Sequence, residues 1–258
     1  MNKNLALLSL VAALGLTACD QSTPQTTNDS PTSNQDKVYK VGLDNTYPPF
    51  EFTQNGKLVG IDVDLITAIA KDQGFKIDIE QMDFSGIIPA MQAGMLDIGM
   101  GGMSITDKRK ETVDFSDPYF AAGVSLVVAD TNQDITSLSD LSDKKVVVKN
   151  GTVGASFADK NTKEYGYSII QVSDSASMFQ EVTNGTADAL MEDYPVISYA
   201  IATGGLKLKT VGERLTGDDY GISVLKGKND ELLQMINDGL ANLKESGEYE
   251  TIMNTYLD

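Results

Sequence analysis

From Val38 to the end of the chain, short apolar β-type runs alternate with segments of helical period, and this alternation constrains the fold more than any other feature. Residues 38–43 read as a buried strand, and 50–53 with 58–61 read as a hairpin around Asn55-Gly56. Residues 62–74 carry Val63, Ile66, Ile69 and Ala70 on one helical face, with Gly74 as the stop. Alternating Phe75, Ile77 and Ile79 give a strand, 87–93 a helix and 97–100 another strand. After an apolar run at 119–129 and a polar stretch at 130–143 with a short helical piece, the series resumes. A strand at 146–149, a helix from Ala155, helices at 175–184 and 193–202 and a strand at 206–211 follow. A β run at 220–224 and helices at 230–244 and 248–256, separated by Gly247, complete the chain. The segment Gly94-Met95-Leu96-Asp97-Ile98 is echoed by Gly185-Thr186-Ala187-Asp188-Ala189, which points to two lobes built on similar helix-to-strand units. Such alternation predicts an α/β fold of mainly parallel sheets, with ligand loops at the carboxyl ends of the strands.

The N-terminus obeys different rules. Lys3 precedes an apolar run from Leu5 to Leu16, too short for a membrane span of about 20 residues, and then Leu16-Thr17-Ala18-Cys19. The pattern is that of an export signal over 1–18. Its end resembles a bacterial lipobox, which would make Cys19, the single cysteine, the lipid-modified first residue of the mature chain. That places the protein outside the cytoplasm, anchored to the cell membrane by lipid alone. In a cell with two membranes, Asp20 resembles the signal that retains lipoproteins on the inner membrane. Residues 19–37 read as a tether, because Ser, Thr, Asn, Gln, Pro and Asp dominate and cannot bury enough apolar surface to offset ordering.

The net charge of −17, or −18 once the leader and its one lysine are removed, makes nucleic acid an unsuitable partner. Histidine is absent, which excludes His-based acid–base catalysis, Ser-His-Asp triads and His metal sites. Neither a metal nor another cofactor is expected.

One short turn carries most of what is needed to grip a carboxylate. In Gly101-Gly102-Met103-Ser104-Ile105-Thr106-Asp107-Lys108-Arg109, the glycines admit close approach, Ser104 offers a hydroxyl, and Thr106 caps a helix that presents Arg109. An Arg fork matches two carboxylate oxygens. Taken alone, the same turn is also compatible with a Thr-capped surface helix.

With its neighbours, the turn resembles the extracytoplasmic solute-binding proteins of polar amino-acid ABC importers. The resemblance runs from Val38 to the C-terminus. It is carried by residues 44–52, Gly60-Ile61-Asp62-Val63-Asp64-Leu65, Asp83-Phe84-Ser85-Gly86-Ile87-Ile88-Pro89-Ala90, the turn above, Asp114-Phe115-Ser116-Asp117-Pro118-Tyr119 and Met191-Glu192-Asp193. It implies a two-lobed type II "Venus flytrap" with two crossing strands as hinge: lobe 1 from 38–120 and 222–258, lobe 2 from 121–221. It further implies a monomer that binds a free amino acid and passes it to an ABC permease. The sequence has no P-loop, so ATP hydrolysis belongs to a partner ATPase.

The same resemblance assigns Arg109 to the ligand α-carboxylate, helped by Ser104 and backbone around Gly101 and Gly102, and Asp193 to the α-ammonium. Tyr47 and Phe84 would flank the side-chain stem, while Asp44, Lys149, Thr152 and Glu192 would set selectivity; Val153 lines the same site at a place often small or hydroxylic in relatives, and it and the charge of Glu192 beside Asp193 depart from the glutamine pattern. Glutamine-binding members similarly place an Asp and a Lys at the positions of Asp44 and Lys149, where acceptor and donor can read the two ends of an amide. Glutamine is therefore the first expectation. A cationic amino acid (arginine, lysine or histidine) is the alternative if Lys149 pairs with Glu192 and frees Asp44. From the residues alone, Lys149 and Glu192 could also be solvated, and Asp193 could simply cap the following helix. A rival of another class is an enzyme resembling cyclohexadienyl dehydratases, with Glu192 as its acid; a non-transporting surface lipoprotein is a third.

Overall fold

The computed structural model describes residues 37–257. The leader, Cys19 and all of the expected tether except Lys37 lie outside the described residues. In chain order the elements are β1 (Val38–Leu43), β2 (Thr46–Tyr47), β3 (Glu51–Gln54), β4 (Lys57–Val59), α1 (Ile61–Gln73) and β5 (Lys76–Gln81). Next come α2 (Ile87–Gln92), β6 (Ile98–Gly99), α3 (Asp107–Lys110), β7 (Val113–Phe115), β8 (Phe120–Ala121) and β9 (Val124–Ala129). The middle continues with β10 (Lys145–Lys149), α4 (Val153–Tyr165), β11 (Ser168–Val172), α5 (Ser175–Thr183), β12 (Ala189–Asp193), α6 (Tyr194–Gly204) and β13 (Leu208–Val211). The chain ends with β14 (Asp219–Tyr220), β15 (Ser223–Leu225), α7 (Asp230–Ser246) and α8 (Glu248–Leu257).

Two five-stranded sheets form the frame, ordered β5-β1-β6-β15-β7 and β11-β10-β12-β9-β13. In each, one strand lies between two parallel partners: β1 between β5 and β6, β10 between β11 and β12. Antiparallel strands complete both sheets, β15 and β7 in the first, β9 and β13 in the second. The sheets are thus mixed, with parallel pairing confined to three strands of each. Between them, β8 and β14 pair antiparallel, Phe120 with Tyr220 and Ala121 with Asp219. The apolar run at 119–129 therefore breaks into two strands, at Ala122-Gly123, where Gly123 takes φ 123°.

Periodicity accounts for the packing. Leu126, Val128, Val146, Val148, Ala189 and Met191 feed one core, while Val127, Val147 and Leu190 feed the other. Alternate residues point to opposite faces, so the second sheet is buried on both sides. α7 lays Leu232, Ile236, Leu240 and Leu243 against α1, each worth about 1.5–3 kcal/mol relative to exposure.

Local chemistry moves two boundaries. α4 starts at Val153 rather than Ala155, because Thr152 Oγ1 accepts the Ala155 N–H at 3.1 Å and caps it. α6 starts at Tyr194 because Asp193 ends β12 and is itself the cap position.

The internal echo is a structural equivalence. Asp97 donates its N–H to the Lys40 carbonyl (2.9 Å) and accepts the Lys40 N–H on Oδ2 (2.9 Å). Asp188 makes the same pair of bonds with Lys145, at 2.9 and 2.8 Å. Each pair ties a central parallel strand to the turn that precedes its neighbour.

Candidate ligand-binding cleft

Loops at the carboxyl ends of β1, β5, β6, β10 and β12 converge on one small cavity. Its lining is Tyr47, Phe84, Gly101, Gly102, Ser104, Arg109, Lys149, Thr152, Val153 and Asp193. Asp44 and Glu192 stand immediately behind that wall, bonded to residues that line it. All twelve residues named from the sequence are thereby brought together, from two sheets and more than a hundred residues of chain.

The cationic side rests on a helix of one turn. Thr106 Oγ1 accepts the Arg109 N–H at 3.2 Å, capping α3. Arg109 Nη1 then donates to the Ser104 carbonyl (2.7 Å) and Nη2 to the Gly151 carbonyl (3.0 Å). Its guanidinium carbon lies 5.2 Å from the Phe84 ring centre. Burial lowers the Arg109 pKa, and the Asp193 charge opposes that. One expected helper is corrected. The N–H groups of Gly101 and Gly102 both donate to Asp62 Oδ2, at 3.0 and 2.9 Å, so neither is offered to a ligand carboxylate. Gly102 has φ 57°, and a Cβ there would stand 2.6 Å from Tyr47 Cε1, so only glycine fits.

The anionic side is a strand end. Asp193 occupies the cap position of α6 yet makes no side-chain capping bond, which excludes the capping reading. Its Oδ2 accepts the hydroxyls of Tyr47 (2.7 Å) and Tyr220 (2.5 Å). Burial raises its pKa, opposed by those two hydroxyls and by Arg109. Glu192 accepts the Asp193 N–H (2.8 Å) and the Tyr47 hydroxyl (3.3 Å) on Oε1, and the Ser175 hydroxyl (2.8 Å) on Oε2. Burial and the Asp193 charge push it up to about 7.

Lys149 is 2% exposed and donates to Asp44 Oδ2 at 2.5 Å. It is therefore neither solvated nor paired with Glu192, and Glu192, 3% exposed, is not solvated either. Lys149 Nζ lies 4.6 Å from the Tyr47 ring centre and 5.7 Å from that of Phe84, so both rings flank it. Asp44 Oδ1 takes the N–H and hydroxyl of Thr46, at 2.9 and 2.7 Å. The Thr152 hydroxyl donates to the Lys149 carbonyl while capping α4, which leaves it one lone pair for a ligand.

Sequence reasoning missed Tyr220 and Ser175. Tyr220 was legible only as part of a crossing strand, and its partner is 27 residues away. Ser175 reads as an ordinary first residue of a helix, with Glu192 17 positions on. Among the described residues no cluster suits a metal ion, and no helix is long and apolar enough to cross a membrane.

Two mixed sheets joined by a two-stranded ribbon, with a cation from one and an anion from the other facing one cavity, define a two-lobed binding protein for a small solute carrying both charges. The chain belongs to the bacterial extracellular solute-binding proteins, family 3, whose pattern matches residues 39–258. It is 33% identical, over 100% of its length and 96% of the relative's, to a probable histidine-binding protein of Neisseria gonorrhoeae. Its structure resembles an ancestral arginine-binding protein bound to arginine, with 43% identity, TM-score 0.80, and coverage of 86% of this chain and 98% of that one. It resembles the ancestral arginine-binding protein bound to glutamine as closely, with 43% identity, TM-score 0.79, and coverage of 85% and 97%.

Proposed function

We propose that the protein captures a polar L-amino acid, glutamine foremost, and delivers it to an ABC permease driven by a separate ATPase. The α-carboxylate is taken by Arg109 with Ser104, the α-ammonium by Asp193, and the side-chain stem by Tyr47 and Phe84. The observation that carries glutamine is the buried Asp44–Lys149 pair. With Asp44 neutralising it from behind the wall, Lys149 offers a side chain a donor without net charge at that end of the cleft, which suits the carbonyl of an amide. Lys149 repels a cationic head group at the same place.

A cationic amino acid is the second reading, favoured by the adjacent buried carboxylates of Glu192 and Asp193 and by the names of the relatives. The ancestral protein found with either arginine or glutamine indicates that so similar a scaffold suits both, so the choice falls to side chains such as Lys149. Titration calorimetry with glutamine, arginine, lysine and histidine decides it: tightest binding of glutamine supports the first reading, and preference for arginine overturns it. Binding is favoured over catalysis because the relatives are binding proteins and because both Glu192 oxygens are engaged behind the wall.

On this reading lobe 1 (38–120 and 222–258) and lobe 2 (121–221) close about β8 and β14, burying a polar site that would be weak in water. Identical solution scattering with and without saturating ligand would count against closure. Cys19 carries the lipid anchor of a monomer, tested by mass measurement on membrane-extracted protein.

A further inference from the structure

Beneath the glycine turn lies a pair of acids that amino-acid capture leaves unused. Glu51 opens β3 and Asp62 sits in the first turn of α1; both are fully buried. Three donors converge on Asp62 Oδ2: the N–H groups of Gly101 and Gly102 and the Tyr119 hydroxyl, at 3.0, 2.9 and 2.9 Å. Asp62 Oδ1 and both Glu51 oxygens are buried without a donor. The two carboxyl groups meet at Gly101, whose N–H donates to Asp62 Oδ2 while Glu51 Oε1 lies against its α-carbon. Glu51 also touches the turn itself, since a Cβ on Gly101 would stand 3.0 Å from Glu51 Oε1.

Ionised carboxylates only accept hydrogen bonds, and two of them side by side in a dry interior cannot both keep their charge. One proton shared between them satisfies both. With three donors already on Asp62, the anion belongs there and the proton on Glu51. We infer that Glu51 is a neutral acid donating to Asp62 Oδ1, and that this held proton positions the Gly101-Gly102 turn forming one wall of the cleft.

The surroundings agree. The charged groups that act on Glu51 are Asp62, Lys149 and Asp44, and the Tyr119 hydroxyl donates to Asp62. Burial first, then the Asp62 charge, raises Glu51 well above its ordinary 4.5; Lys149 opposes this, and Asp44 adds to it. Glu51 is a positioning residue, since it reaches the ligand only through the turn.

Infrared spectroscopy of the full-length protein at neutral pH tests the proton directly and needs no ligand. The wild type minus Glu51→Gln difference should contain the carbonyl stretch of a protonated, buried carboxyl group. Asp62→Asn, which replaces the acceptor of that proton with a neutral amide, should shift the band with Glu51 intact. A difference spectrum without the band overturns the inference. The positioning role is read with L-glutamine as probe: Glu51→Gln, which keeps a donor, should bind within about twofold of wild type, and Glu51→Ala about tenfold more weakly. An alanine variant that binds as well as wild type overturns positioning. This second arm rests on amino-acid capture: wild type that fails to bind glutamine refutes the glutamine assignment, and the infrared band still decides the proton.

Discussion

The loops that follow β6 and β12 hang from matching scaffolds and end in opposite charges. Asp97 and Asp188 lock β1 and β10 through the same pair of bonds, and Gly94 and Gly185 turn with φ of 72° and 76°. Beyond the third parallel strand the likeness stops. After β6 the chain makes a glycine turn held by Asp62, then one turn of helix, so its charge arrives on the long arm of Arg109. After β12 it enters α6 at once, with Pro195 in the first turn, and the charge arrives on Asp193, fixed to the strand end. The scaffold is repeated and indifferent to ligand. The opposite charges stand where the third parallel strand ends, beyond the repeated bonds, where a sign can change without disturbing a sheet.

If the loops are complementary halves of one zwitterion clamp, losing either charge should cost a similar amount. Arg109→Ala and Asp193→Asn should each weaken glutamine binding by about 2–5 kcal/mol, because each leaves a buried opposite charge without its partner. Calorimetry showing one variant near wild type would break the symmetry. Lys149→Met tests the selectivity end, removing the amide donor and leaving Asp44 alone. Glutamine should bind about 1–3 kcal/mol more weakly and arginine should gain relative to it.

The anionic loop should also make the protein unusually sensitive to rising pH. Glu192 binds its proton more tightly folded than unfolded, so its contribution is full below about 4.5 and is lost as pH rises through about 7. Urea midpoints should be higher at pH 5 than at pH 8, and Glu192→Gln should narrow the gap; an unchanged gap would move the effect elsewhere. The smallest test addresses the scaffold. Asp97→Ala and Asp188→Ala should each destabilise by about 1 kcal/mol, and clearly unequal losses would mean the repeat is one of shape only.

Local features were legible where the governing contact is itself local. Thr106 before Lys108 and Arg109 announced a capped helix, Gly74 and Gly247 marked helix ends, and Asn55-Gly56 marked the hairpin. One adjustment came from a cap of the same kind, Thr152, which extends α4; the Asp193 side chain makes no capping bond and accepts two tyrosine hydroxyls instead. The candidate site was legible as a set of residues, each at or soon after the carboxyl end of a strand. Its internal pairing was not. Lys149 and Asp44 are 105 positions apart, Tyr47 and Asp193 are 146, and no local pattern states that they meet.

By itself the amino-acid sequence determined periodicity, turns, and which chemical groups sit on which loops, because these depend on neighbours a few residues away. Tertiary structure alone decided that Lys149 neutralises Asp44, that the Gly101 and Gly102 amides face Asp62, and that burial raises the pKa of Glu51 and Glu192. A charge's partner and its proton are set by what lies across space in a medium that screens weakly, and the chain acquires both only when it closes on itself.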